Sequence, residues 1–109
     1  MSSLAKTLDL KPQTQNPPDN EITGGYVSDL MSDVLANAKA GFVWVTNQKH
    51  RNCVAIASLL GLAGIIMAGG VQPDGNAVEK ASEESVALYT TDLPAYELIG
   101  RMYDAGIRS

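Results

Sequence analysis

The chain has little cysteine, little histidine and no surplus of positive charge. A single cysteine, Cys53, excludes a disulfide within the chain and suits a reducing, cytoplasmic compartment. One histidine beside one cysteine falls short of the ligand set of a structural zinc site. Eight Lys and Arg stand against twelve Asp and Glu, for a net charge of −4 and a pI near 4.7. Phosphate-backbone binding needs a basic footprint, so nucleic acid is not an expected partner. Neither a Walker A lysine motif nor a G-x-G-x-x-G fingerprint occurs. The opening residues Met1–Lys6 hold no long apolar region, and no secretory signal is expected. Residues Asn52–Pro73 carry no charge and are numerous enough to span a bilayer. Asn52, Ser58 and Gln72 are polar, however, and Gly61, Gly64, Gly69 and Gly70 interrupt the run. It reads as a helix ending at Gly61 followed by a buried strand over Leu62–Ala68, not as a membrane span.

What is present is globular. The chain has 109 residues, 45% of them hydrophobic, which is one domain with enough apolar material for a core. Residues 3–9 have helical spacing in Leu4 and Leu8, and Lys11–Gln15 is an edge strand on account of Pro12. Asn16-Pro17-Pro18-Asp19-Asn20 is a loop by composition. Ile22–Val27 is a short strand interrupted by Gly24-Gly25. Ser28 or Asp29 is expected to cap a helix whose buried face is Leu30, Met31, Val34, Leu35 and Ala38, with Gly41 at its end. Phe42–Thr46 is β-branched and aromatic, hence a strand. Helices follow over His50–Leu60 and Asp74–Glu84, with strand Val86–Thr90 and a last helix capped by Asp92, Pro94 lying in its first turn. Strands alternating with helices of this length predict a three-layer α/β/α fold. Its sheet has four to five strands, largely parallel or mixed, with right-handed crossovers.

In such a sheet ligands gather beyond the C-terminal ends of the strands. Four segments are expected there: Thr23-Gly24-Gly25 with Ser28 and Asp29; Thr46 through His50; Gly69-Gly70; and Thr90-Thr91-Asp92. Backbone amides and hydroxyls near helix N-termini suit a small anion. The glycines equally suit tight backbone packing with no ligand. Asp29 and Asp33, four residues apart, are a weaker candidate pair for a metal. Lys49-His50-Arg51 is the one basic cluster, open to an anion or to solvent. Cys53 with His50 is the one Cys/His pair, and no nucleophile–base pair or metal cluster stands out. Tyr89, Tyr96 and Tyr103 form an interface patch if they are exposed and ordinary packing if they are not.

The Thr23-Gly24-Gly25 stretch, the following Tyr26-Val27-Ser28-Asp29-Leu30, the run closing in Ala68-Gly69-Gly70 and the final Leu93-Pro94-Ala95-Tyr96-Glu97 together resemble the DRTGG domain family. Glu21-Ile22 stand where members of that family carry Asp-Arg, so an arginine clamp is missing. The resemblance implies a domain like the N-terminal domain of HPr kinase, a module also found within phosphate acetyltransferases. It implies a stand-alone regulatory module, acting as a homodimer, that binds a small anionic ligand such as a nucleotide, or a partner protein. Thr23, Gly24, Gly25, Ser28, Asp29, Thr46, His50, Gly69, Gly70, Thr90 and Asp92 are its candidate ligand-binding residues. Two other readings stay open: a non-catalytic subunit of a larger complex, a redox complex by the same resemblance, and an enzyme of phosphoryl or acyl transfer. No cofactor is identified.

Overall fold

A computed structural model describes all 109 residues. Five strands form one sheet: β1 (Lys11–Pro12), β2 (Gly24–Val27), β3 (Phe42–Thr46), β4 (Gly64–Met67) and β5 (Leu88–Thr90). Five helices accompany them: α1 (Ser2–Thr7), α2 (Met31–Asn37), α3 (Arg51–Leu60), α4 (Gly75–Glu83) and α5 (Ala95–Asp104). The sheet order is β1-β5-β4-β3-β2. Strands β2 to β5 are parallel to their neighbours, and β1 is antiparallel to β5. The expected mixed α/β sheet with helices on both faces is therefore present.

Alternation along the central strands divides the core. Val43, Val45, Ile66 and Tyr89 pack with Leu4, Leu8, Leu98 and Met102 of the α1 and α5 layer. Trp44, Ile65, Met67 and Leu88 pack with Val34, Val54, Ala57 and Ala77 of the α2–α4 layer. Every residue of β4 is buried, which explains the long uncharged run: a strand covered on both faces has no polar side. Burying one such side chain contributes about 1.5–3 kcal/mol. No helix is long and apolar enough to cross a membrane. Because β2, β3, β4 and β5 lie side by side in chain order, α2, α3 and α4 all cover the same face. After β5 the chain changes face, and α5 joins α1 on the other side.

Several local expectations need correction. Strand β2 runs through Gly24 and Gly25 without interruption, in register with Phe42 and Val43. Neither Ser28 nor Asp29 caps α2. The Ser28 amide still donates to the Val45 carbonyl (3.3 Å), and the helix begins at Met31 with Leu30 at its cap position. Leu30 and Leu35 are exposed, so the buried face of α2 reduces to Val34 and Ala38, with Met31 half-buried. Gly41 does not end α2, which stops at Asn37. Gly41 lies in the turn before β3, its carbonyl accepting the Thr23 amide (2.9 Å). Asp92 does not cap α5: the Thr91 hydroxyl accepts the Leu93 amide (3.2 Å), and Pro94 holds the cap position. Gly61 does end α3, in the left-handed conformation (φ 68°) that a side chain disfavours.

Candidate functional site at the C-terminal edge of the sheet

The parallel strands end at Val27, Thr46, Met67 and Thr90, and the loops that leave them meet along one edge. Ser28, Asp29, Thr46, His50, Gly69, Gly70, Thr90 and Asp92 are all at this edge, as expected. Thr23, Gly24 and Gly25 are not. They enter β2 at its opposite end, where the Thr23 hydroxyl donates to the Ala40 carbonyl (3.0 Å). A β-carbon on Gly24 would lie 2.5 Å from the Phe42 ring and 2.7 Å from the Arg108 carbonyl oxygen. The adjacent Gly25 amide donates to that same carbonyl (3.1 Å). Both glycines thus let the C-terminal segment cross the strand closely.

At the β2 and β3 exits the polar groups bind one another. Asp29 Oδ1 accepts from the Thr46 hydroxyl (2.9 Å) and the Asn47 amide (2.7 Å). Gln48 Nε2 donates to the Asp29 carbonyl (2.6 Å), and the Gln48 amide donates to the Thr46 hydroxyl oxygen (3.2 Å). This network closes the two exits around a cleft of about 90 Å³ that Ala95, the first residue of α5, also lines. Asp33 turns away from it, accepting from the Tyr26 hydroxyl (2.7 Å) and from Asn37 Nδ2 (2.8 Å). Those bonds, the Tyr26 one first, hold the Asp33 carboxyl below its usual range. Asp29 and Asp33 therefore serve different partners, and no group of three or more His, Cys, Asp or Glu side chains is placed to hold a metal ion.

The β4 exit is closed as well. Gly69 and Gly70 adopt φ of 67° and 78°, and their amides donate to the Leu93 (2.7 Å) and Thr91 (3.0 Å) carbonyls. These are the amides that an anion would need, and the neighbouring loop has taken them. Thr90 is buried, its hydroxyl accepting from Gln13 Nε2 (3.0 Å). His50 Nδ1 lies 3.4 Å from Asp74 Oδ2, and the Lys49 carbonyl accepts the Asp74 amide (3.0 Å). His50 thereby ties the start of α3 to the start of α4. Cys53 is fully buried, its thiol donating to the His50 carbonyl (2.9 Å), and burial pushes it up to about 11. It is a protonated thiol at neutral pH, not an activated nucleophile.

The open part of the edge is where the chain changes face. Between the β5 exit, the start of β1 and α5 lies a depression of about 450 Å³, lined by Asp9, Lys11, Thr91, Asp92, Pro94 and Arg101 among others. Lys11 and Arg101 supply two positive charges to it. Each is loosely held, Lys11 Nζ by Asp92 Oδ2 at 3.5 Å and Arg101 Nε by Glu97 Oε2 at 3.0 Å, and all four side chains are more than half exposed. Neither cation stood out in the sequence. Lys11 reaches the site through the antiparallel pairing of β1 with β5, and Arg101 from the second turn of α5.

No protein-family model matches this sequence, and no curated protein matches it. Among solved structures, the fold is similar to one described as the CBS and DRTGG domains of the regulatory region of Clostridium perfringens pyrophosphatase, complexed with the activator diadenosine tetraphosphate. The TM-score is 0.71 at 16% sequence identity. The match covers 92% of this chain and 44% of that one, so this chain spans less than half of the structure it resembles. Such a likeness speaks for the fold. It agrees with the DRTGG-like architecture implied by the Thr23-Gly24-Gly25 resemblance, and a relation to HPr kinase is not shown.

Proposed function

We propose that the protein is a regulatory, ligand-sensing module that binds a small phosphate-bearing anion such as a nucleotide at the C-terminal edge of its sheet. The observation that carries this reading is the convergence of Lys11 and Arg101 on an open depression at the point where the chain changes face. Crevices of this kind, outside the strand ends, are where α/β sheets take ligands. The cations are loosely held: exposed ion pairs such as Lys11–Asp92 are worth about 0–1 kcal/mol, so a multivalent anion displaces the carboxylates at little cost. The solved structure of similar fold is a regulatory region in complex with a nucleotide activator, which supports a sensing role over a catalytic one.

Within this reading Asp29, Thr46 and His50 brace the loops, Lys11 and Arg101 meet the ligand, and Asp92 releases Lys11 to it. Thr23, Gly24 and Gly25 support the edge from the far end of β2. The test is a thermal-shift titration with inorganic phosphate, adenine and guanine nucleotides and acetyl phosphate. A ligand at a hundred times its Kd stabilises the native state by roughly 2.7 kcal/mol, a readily measured rise in Tm. The rise is expected to disappear in the Lys11→Glu/Arg101→Glu double variant and to persist in Thr23→Ala. No rise with any of these anions, or one that survives the double variant, would defeat the proposal.

A further inference from the structure

Strand β2 is the last of its side of the sheet, so Ile99 and Tyr103, on the flank of α5, have no further strand to pack on. Gly25 and Val27 share one face of β2 and lie beneath them. Ile107 of the C-terminal segment packs beside Gly25, its Cγ2 methyl 3.1 Å from where a β-carbon would stand. Together with Met102 these residues enclose a slot of about 290 Å³ with mostly apolar walls. Val27 is 49% exposed and Tyr103 57%, large apolar side chains left open to solvent around it. Tyr89 is buried and Tyr96 does not line the slot, so Tyr103 alone of the expected tyrosine patch takes part.

One cation belongs to this slot. The Arg108 guanidinium lies over the Tyr103 ring, 3.6 Å from its centroid, and its Nη1 donates to the Tyr103 carbonyl. The group is thus held in place by an aromatic face and a neutral acceptor. Its Nε and Nη2 make no hydrogen bond within the chain, and no carboxylate pairs with it. That unused side of a guanidinium is the fork that takes a carboxylate through two parallel bonds. Val27 adds a backbone donor at the rim. The Ser28 amide turns inward to the Val45 carbonyl and the Gly25 amide outward to the Arg108 carbonyl, so by alternation the Val27 amide also faces outward.

We propose that this slot is a second ligand site, taking a small aryl carboxylate with its ring between Val27, Ile99 and Met102 and its carboxylate on Arg108. Apolar walls with one or two placed polar groups are the make-up of a small-molecule pocket. The slot stands at the lower end of the roughly 300–1,000 Å³ range of such pockets, which suits one or two fused rings and not a nucleotide. A ring is favoured as the apolar part because the Met102 thioether makes favourable contacts with aromatic edges and the Gly25 floor is bare of a side chain. A carboxylate is favoured as the polar part because Arg108 is pre-oriented and lacks one. The slot is separate from the depression at the strand exits. Ile99 and Arg101 are two residues, roughly 200°, apart around α5, so the two sites open on different sides of that helix.

This site goes beyond the phosphate-binding reading and stands without it. The test is a titration of the protein with naphthylacetate and with its neutral analogue naphthylacetamide, followed by amide NMR. Naphthylacetate is expected to bind saturably with a Kd of about 1 mM or tighter and to move the Val27, Ile99, Met102 and Ile107 signals. Arg108→Ala keeps the backbone carbonyl that Gly25 uses. It is expected to weaken the acid about tenfold and to leave the amide unchanged, which reads charge and not shape. Ile99→Trp fills the slot and is expected to abolish binding of both. Val27→Trp, at the exposed rim, is the second filling variant and decides the matter should Ile99→Trp not fold. Lys11→Glu/Arg101→Glu is expected to bind naphthylacetate as the wild type does. No saturable shift up to about 10 mM, shifts confined to residues outside the slot, or binding that survives the filling variants would each overturn the proposal. So would an acid indifferent to Arg108→Ala, or one lost in the Lys11→Glu/Arg101→Glu variant.

Discussion

Replacing Gly24 by alanine separates packing from ligand contact as the reason for the paired glycines. The new β-carbon would sit 2.5 Å from the Phe42 ring and 2.7 Å from the Arg108 carbonyl oxygen, about 1 Å inside ordinary contact distance of 3.5–4.0 Å. Phe42 is half-buried, so its ring can turn aside at modest cost. The Arg108 carbonyl cannot do so without breaking its bond from the Gly25 amide, a loss of about 1 kcal/mol. Overpacking at a tight site adds about 1–3 kcal/mol. Alanine recovers about 0.4–1 kcal/mol by restricting the unfolded chain. The net expectation is a destabilisation of about 1–3 kcal/mol. Urea unfolding at neutral pH checks it: the midpoint falls while the slope m is unchanged. Gly25→Ala is the internal comparison. Its β-carbon would be crowded by the Ile107 Cγ2 methyl at 3.1 Å, with Met102 Cε and the Val43 carbonyl oxygen at an ordinary 3.7 Å, and the cost should be smaller. A Gly24→Ala variant within about 0.5 kcal/mol of the wild type, the range of an ordinary surface change, would refute the packing account. It would return the glycines to the list of ligand contacts.

Asp29→Ala removes the acceptor of the buried Thr46 hydroxyl and of the Asn47 amide, and should destabilise by about 1–3 kcal/mol with loss of order at the β2 and β3 exits, visible in hydrogen exchange at Asn47 and Gln48. Tyr26→Phe should lower the urea midpoint at pH 7 through loss of the bond to Asp33. Because that bond lowers the Asp33 pKa, its stabilisation is present above the ordinary carboxylate value of about 3.9 and lost as pH falls through the folded value. Because it raises the Tyr26 pKa, the same stabilisation is present below about pH 10 and lost as pH climbs through the raised value. The difference between variant and wild type should therefore shrink at both extremes, and a difference constant with pH would contradict the assignment. Cys53, raised to about 11, should resist a thiol reagent at pH 8 in the native state and react on unfolding; prompt labelling of the folded protein would show the thiol to be accessible.

The sequence read alone was strong where a pattern is local and periodic. The β-branched run Phe42–Thr46, the apolar spacing of α3 and its stop at Gly61 each carry their cause within a few residues, and all three are found where expected. It was weaker at helix starts. Ser28, Asp29 and Asp92 have the chemistry of caps, but a cap is only one of the bonds such a side chain can make. Asp29 is taken by Thr46 and Asn47, and Asp92 faces Lys11, residues distant in the chain. Leu30 and Leu35 show the same limit for burial: spacing puts them on the apolar side of α2, and the shortness of that helix leaves them uncovered.

By itself, then, the sequence determined the alternation of strands and helices, the unbroken apolarity of the central strands, and the lack of a basic surface or an activated cysteine motif. Those follow from side-chain chemistry and short-range periodicity. Only the tertiary structure decided which end of β2 the Thr23-Gly24-Gly25 segment occupies, that the Gly69 and Gly70 amides are already bonded, and that Lys11 and Arg101 share a depression. Lys11 and Arg101 are ninety residues apart and come together because β1 joins β5 antiparallel and α5 crosses to the opposite face. Such proximity depends on strand order and on the face each helix takes, and neither is written in the spacing of residues along the chain.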